Sequence, residues 1–247
     1  MLGAIHRTAV RAEWAAAQAA GIELNVVDGG GLLLGAAPTV ASTMFNRALG
    51  VADQPERLGE ALAFLAVHGV SGDIPLDPAD VPAGVEPRAR LDAFVAAPGV
   101  IEPAPVPGFV TRVADREEAD AWMELAIEGN ERPPGTEAIW RAMVPGIANT
   151  PGWILLIGEL DGRACSSSAL FLTGDAGWMS WASVLPAARG HGIQRSMIAA
   201  RAELAVQRGC SLVAAWALVG AHSSANLARS GFTRIGQRAI VRSDALR

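Results

Sequence analysis

The sequence contains no lysine and no tyrosine, so all 20 of its basic side chains are arginines. Without lysine there can be neither a lysine Schiff base nor a Walker-A phosphate loop. Without tyrosine no phenol is available as an acid anywhere in the protein. Cysteine is scarce. Cys165 and Cys210 lie far apart, each in an apolar strand-like run. That is too few for a disulfide framework or a zinc site and predicts two buried free thiols. No apolar run approaches the roughly 18 residues that span a bilayer. The opening stretch "MLGAIHRTAVRAEWAAAQAAG" is broken by Arg7, Arg11 and Glu13 and does not read as a secretory leader. A cytoplasmic protein that engages no membrane is expected. Net charge is −5, with no basic tail or stripe, so nucleic acid is not an expected partner.

What is present points to a globular chain. Of its 247 residues 51% are hydrophobic and 18% charged, enough for one large domain or two of ordinary size. Pro103, Pro105 and Pro107 punctuate the stretch from Ile101 to Gly108, which predicts an extended linker between units 1–105 and 108–247. Before it, the pattern predicts helices over Thr8–Ala20, Gln54–His68 and Pro87–Ala97. It also predicts a hairpin around Asp28–Gly31 and strands in "STMFNRALGV" and "SGDIPLDP". After it, the predicted order is β-α-α-β-β-β-α-β-α-β, an α/β arrangement with a mixed sheet. Asp115 opens the first of those helices, and turns fall at Asp161-Gly162 and Gly174-Asp175.

One segment combines several signals. In "VLPAARGHGIQRSM" a strand-like run gives way to Arg189-Gly190-His191-Gly192-Ile193-Gln194, and a helix follows at once. Glycines let the backbone turn sharply and approach a ligand. The first N–H groups of the helix lack partners within it and carry the positive end of its dipole, which suits an anion. Arg189 adds forked donors for phosphate. Ile193, Met197, Ala200 and Leu204 form the predicted packing stripe, with Arg195, Arg201 and Arg208 off it. The competing reading is a ligand-free strand-to-helix turn. A dinucleotide loop fits worse, because Arg195 stands where that fingerprint needs glycine. Gly29-Gly30-Gly31 lacks a following helix and reads as a hairpin turn.

Taken with the order of elements, this segment resembles the acetyl-CoA loop of the GCN5-related N-acetyltransferases (GNAT), Q/R-x-x-G-x-G/A. Arg189 and Gly192 match its first and fourth positions, and Gln194 stands where a small residue is usual. The likeness covers about residues 108–243. It includes "SSANLARSGF", with Ser223 and Asn226, as the closing helix and its "GF" signature. The N-terminal part resembles the degenerate first half of tandem GNAT proteins.

The resemblance implies an acyl-CoA N-acyltransferase fold: a mixed, mostly antiparallel central sheet flanked by helices, with a smaller degenerate N-terminal domain. It implies acetyl-CoA as co-substrate and no metal. Backbone groups around Ala182 and Val184 would pair with the pantetheine arm in a slot between the strands Trp178–Leu185 and Ser211–Leu218. An N–H near Val184 would polarise the thioester. The pyrophosphate would sit on Arg189, Gly190, His191, Gly192, Ile193 and Gln194, with Asn226 beside them. His191 would point to solvent or phosphate without a catalytic role, and His6 and His68 would be surface or packing residues. The acceptor would be the amine of a small molecule or a protein N-terminus, attacking directly, in a monomer or homodimer.

Two family features have no counterpart. The position of the usual acidic tyrosine is Leu227, leaving solvent, Ser224 or His222 as substitutes, and "GWMSWASVL" carries no carboxylate. Glu128 and Glu131 are then the nearest basic candidates by topology, with Glu128 preferred. A non-catalytic acyl-CoA-binding or regulatory protein is the alternative reading. An unrelated α/β module with a mere turn is the third.

Overall fold

The computed structural model describes residues 1–130 and 135–247. Among them six helices are built: α1 (Leu2–Ala19), α2 (Leu58–Val67), α3 (Ala119–Gly129), α4 (Glu137–Asn149), α5 (Ile193–Gln207) and α6 (His222–Arg229). The first five strands are β1 (Asn25–Gly29), β2 (Leu32–Ala36), β3 (Arg47–Leu49), β4 (Asp73–Leu76) and β5 (Ala89–Ala96). Then follow β6 (Phe109–Val113), β7 (Trp153–Leu160), β8 (Arg163–Thr173), β9 (Ala176–Val184), β10 (Leu212–Leu218) and β11 (Thr233–Arg242).

They form one eleven-stranded sheet in the order β1-β2-β3-β4-β11-β5-β10-β9-β8-β7-β6. All neighbours are antiparallel except β3–β4 and β9–β10. The sheet is thus mixed and mostly antiparallel, as expected.

The predicted helix over Pro87–Ala97 is instead strand β5. Its Ala, Arg and Leu content favours a helix locally. Both of its edges, however, are hydrogen-bonded, to β10 and to β11, and those non-local ladders override the local preference. Because β5 comes from before the proline stretch and β10 and β11 from after it, a single sheet runs through both halves. Residues 102–107 carry no regular structure. Two smaller differences lie nearby: "STMFNRALGV" contributes only the three residues of β3, and the helix predicted from Gln54 becomes regular only at Leu58.

The sheet is covered on both faces. On one, Val10 and Trp14 of α1, Trp122 and Met123 of α3 and Trp140 and Met143 of α4 pack with Leu155, Ile157 and Ala169. On the other, Ile193, Met197, Ile198 and Ala202 of α5 pack with Leu170, Met179, Val213 and Ala215. Fully burying such side chains contributes about 1.5–3 kcal/mol each. The α5 stripe is rotated from the predicted one: Ala200 and Leu204 are half-buried, and Arg201, expected off the stripe, is buried. Asp115 does not cap α3, which starts at Ala119 after Glu118 with no side-chain cap; it closes the preceding turn by accepting the N–H groups of Glu117 and Glu118.

Candidate acyl-CoA site

The glycine loop links the end of β9 to α5. Gly190 (φ +86°) and Gly192 (φ +82°) both lie in the left-handed region, and Gly192 is the N-cap of α5 with no side-chain cap. Among the described residues, no acceptor meets the N–H groups from Gly190 to Gln194. Five consecutive open donors at the positive end of a four-turn helix suit an oxyanion.

Arg189 braces this loop. Its Nε donates to the Val184 carbonyl at 3.2 Å and its Nη2 to the Gly129 carbonyl, at the C-terminus of α3, at 2.9 Å. His191 is exposed, with Nδ1 3.0 Å from the Arg189 carbonyl. The Gln194 amide is turned sideways: its Oε1 accepts from Asn226 Nδ2, and Asn226 Oδ1 accepts from Arg229 at 2.6 Å. Gln194 therefore leaves the backbone donors open and ties α5 to α6.

A slot opens beside the loop. β9 and β10 pair only from Ala176–Trp178 against Leu212–Ala214, after which β10 continues to Leu218 against β5 alone. β9 diverges through a bulge. Ser167 faces Ser183 and Ala169 faces Ser180, so Trp181 and Ala182 share the single partner Ser168. Trp181 adopts φ +55°, rare for a bulky residue. The conformation is held from outside the strand. Trp122 Nε1 donates to the Ser168 carbonyl at 2.9 Å, Trp181 Nε1 donates to Glu13 at 2.9 Å, and the Trp181 ring packs against Trp122 and Trp140. The result is a cavity of about 530 Å³ that crosses the sheet. Ala182, Gln194, Ile198, Arg201, Ser223 and Leu227 line it toward α5 and α6; His6, Glu13 and Trp140 line it toward α1 and α4.

Its charged groups come largely from the N-terminal half. Glu13 is 7% exposed, and Arg47 lies 3.6 Å from its carboxylate. Burial raises the Glu13 pKa above the ordinary glutamate value, against the opposing pull of Arg47 and Trp181. Asp73 is likewise raised, chiefly by burial, with Arg88 and Arg242 pulling it back. His6 stacks on Trp178 at 4.8 Å and keeps part of its ring open to the cavity. Burial, then Arg47 and Arg7, push its pKa down to about 3, so it is neutral at physiological pH and too weak a base to take a proton from an ammonium.

The structure brings together Ala182, Val184, Arg189, Gly190, Gly192, Ile193, Gln194 and Asn226 along the loop and slot, with His191 on the outer side. Glu128 is exposed on α3 and does not line the cavity; Glu131 lies outside the described residues. Ser224 Oγ lies 3.4 Å from Asp92, and His222 is exposed, whereas Ser223 and Leu227 face the cavity. Sequence reasoning missed His6, Glu13, Arg47, Asp73 and Arg201. For Glu13 a signal existed. It sits between Val10, Trp14 and Ala17 at i−3, i+1 and i+4, so its charge interrupts an apolar stripe.

No family model and no curated protein matches the sequence. Solved structures do match the fold. A GCN5-related N-acetyltransferase from Kribbella flavida is 17% identical, with 94% of each chain covered and a TM-score of 0.63. One from Sphaerobacter thermophilus is 16% identical, over 87% of this chain and 81% of that one, with a TM-score of 0.63. A tandem GNAT protein from the clavulanic acid biosynthesis pathway is 13% identical, over 92% and 86%, with a TM-score of 0.59. The chain has the fold of the GCN5-related N-acetyltransferases.

Proposed function

We propose, from that fold, that this protein is an N-acyltransferase. It binds an acyl-CoA, of which acetyl-CoA is the simplest, and passes the acyl group to the amine of a small molecule or a protein N-terminus in the cytoplasm. One observation carries the reading: five unfilled backbone donors at the head of α5 open beside a slot where β9 and β10 part. The loop suits the pyrophosphate, and the free edge of β9 around Ala182 suits the amide-bearing arm. Acyl-CoA supplies an activated thioester.

The chain's own residues orient the partners and handle the proton. In the transfer, the amine nitrogen forms a bond to the acyl carbon as the carbon–sulfur bond breaks. CoA leaves as thiolate and takes a proton from solvent, since Leu227 offers none. The amine's proton goes to Glu13. Among the described residues Glu13 and Asp73 are the carboxylates that line the cavity, and only Glu13 is bonded to the bulge residue Trp181. Burial raises its pKa above the ordinary glutamate value, which makes its carboxylate a stronger base than an exposed one. Holding amine and thioester in line supplies further acceleration.

The buried Leu227 in the place of an acid favours a second reading, binding without turnover. Titration with CoA by calorimetry, then CoA thiol release over a panel of amines, separates the two. Absence of CoA binding would refute both; binding with no thiol release for any amine, and no effect of Glu13→Gln, would leave only the second.

A further inference from the structure

The slot contains a cation that no carboxylate among the described residues pairs with. Arg201 of α5 is 3% exposed and lines the cavity. Its Nε donates to the Met197 carbonyl at 3.1 Å within its own helix, and its Nη1 lies 3.5 Å from the Ser180 carbonyl. Among the described residues nothing partners Nη2 and no carboxylate pairs with the guanidinium. Burial, with no acid to offset it, pulls its pKa down to about 10, so it remains charged at neutral pH. The two carboxylates that line the cavity among the described residues are engaged elsewhere, Glu13 with Arg47 and Asp73 with Arg88 and Arg242. Two more buried donors on the flanking strands, Ser180 Oγ and Trp216 Nε1, also lack partners among the described residues. A buried, unpaired cation is costly to keep unless something anionic completes it.

Its position indicates what that anion belongs to. Arg201 stands eight residues after Ile193 on the same helix, about 12 Å along the axis at ~1.5 Å per residue. It is therefore separate from the loop donors. It touches Ser180, just beyond the last paired rung of β9 with β10, on the α5 side of the sheet. A chain anchored at the loop and laid in the slot would bring its far end here. An amine entering from the α1 side would meet Glu13 and Trp181 first.

We propose, resting on the acyl-CoA reading above, that Arg201 with Ser180 selects acyl donors whose chain ends in a carboxylate: a short dicarboxylic acid joined to CoA at one end. The guanidinium presents a forked pair of donors to the terminal carboxylate.

The test is calorimetric titration of the full chain with CoA, acetyl-CoA, malonyl-CoA and succinyl-CoA, before and after Arg201→Met. The wild type should bind malonyl- or succinyl-CoA roughly ten- to hundredfold more tightly than acetyl-CoA, as a charge-assisted bond of this kind provides. Arg201→Met should abolish that preference, and Arg201→Lys should retain part of it. The wild-type comparison alone suffices if a variant fails to fold. Equal affinity for acetyl- and succinyl-CoA, or a preference that survives Arg201→Met, overturns the inference while leaving the acyl-CoA reading intact. Arg201-dependent binding of a free amino carboxylate, with donors indistinguishable, assigns the arginine to the acceptor and overturns it too. No binding of any CoA removes both.

Discussion

Replacing Gly192 by alanine isolates the backbone requirement of the loop. Gly192 has φ +82° and ψ 0°, a left-handed conformation that costs an L-residue about 1–2 kcal/mol. An added Cβ would meet only Val106 Cγ2, at 3.5 Å, which is ordinary van der Waals contact. No steric clash adds to the backbone cost, which must surface in one of two measurements. If the loop keeps its shape, the folded state loses about 1–2 kcal/mol and the melting temperature falls by roughly 2–8 °C for a chain of this size. If the loop relaxes to negative φ, stability is spared but the unfilled N–H groups turn away. CoA must then restore them, and its Kd rises by about five- to thirtyfold, the equivalent of the same 1–2 kcal/mol. Calorimetric melting and CoA titration of one preparation give both terms. Gly190→Ala (φ +86°, nothing within 4 Å of the new Cβ) should behave alike. Gly99→Ala, equally roomy but without positive φ, should change stability by less than about 0.5 kcal/mol. Wild-type stability together with wild-type affinity in Gly192→Ala would refute the loop conformation as an anion cradle.

Three further outcomes are expected. Glu13→Gln should lower CoA release by about 10²–10⁴-fold while leaving the Kd for CoA unchanged. In the wild type the acidic limb of the rate profile should sit above the ordinary glutamate range. Because the folded pKa is raised, the folded state holds the proton longer, so stability falls as pH rises from the ordinary value through the raised one; Glu13→Gln should flatten that slope, and an unchanged slope counts against a buried carboxyl. Burial also raises the thiol pKa of Cys165 and Cys210, so Ellman's reagent should modify neither in the native protein and both in denaturant, and rapid native labelling would contradict the packing. A fragment of residues 108–247 should fail to give a cooperative melt, because β5 is missing from between β10 and β11; a cooperative melt with CoA binding would show that the halves are separable.

The periodic and punctuated parts of the chain were legible without coordinates. α5 and its glycine loop, the three consecutive strands β7 to β9 and the closing α6–β11 unit follow from local pattern, because turn glycines and amphipathic repeats act over a few residues. The loop's run of open N–H groups follows too, since it depends on main-chain groups that every helix start exposes. Strand β5 was not legible: its composition suits a helix, and only ladders to β10 and β11, more than 100 residues away, make it extended. The same non-local packing decided the side chains of the site. Glu13 becomes a cavity carboxylate because α1 lies over the parted strands, and Trp181 takes φ +55° because Trp122, Trp140 and Glu13 hold it there. Arg201 is a cavity cation because α5 is rotated from its simplest apolar stripe. Sequence by itself determined the glycine loop and the order of elements after the proline stretch; tertiary structure alone decided strand β5 and which charges face the cavity, because non-local ladders and burial belong to the packed fold rather than to any stretch of the chain.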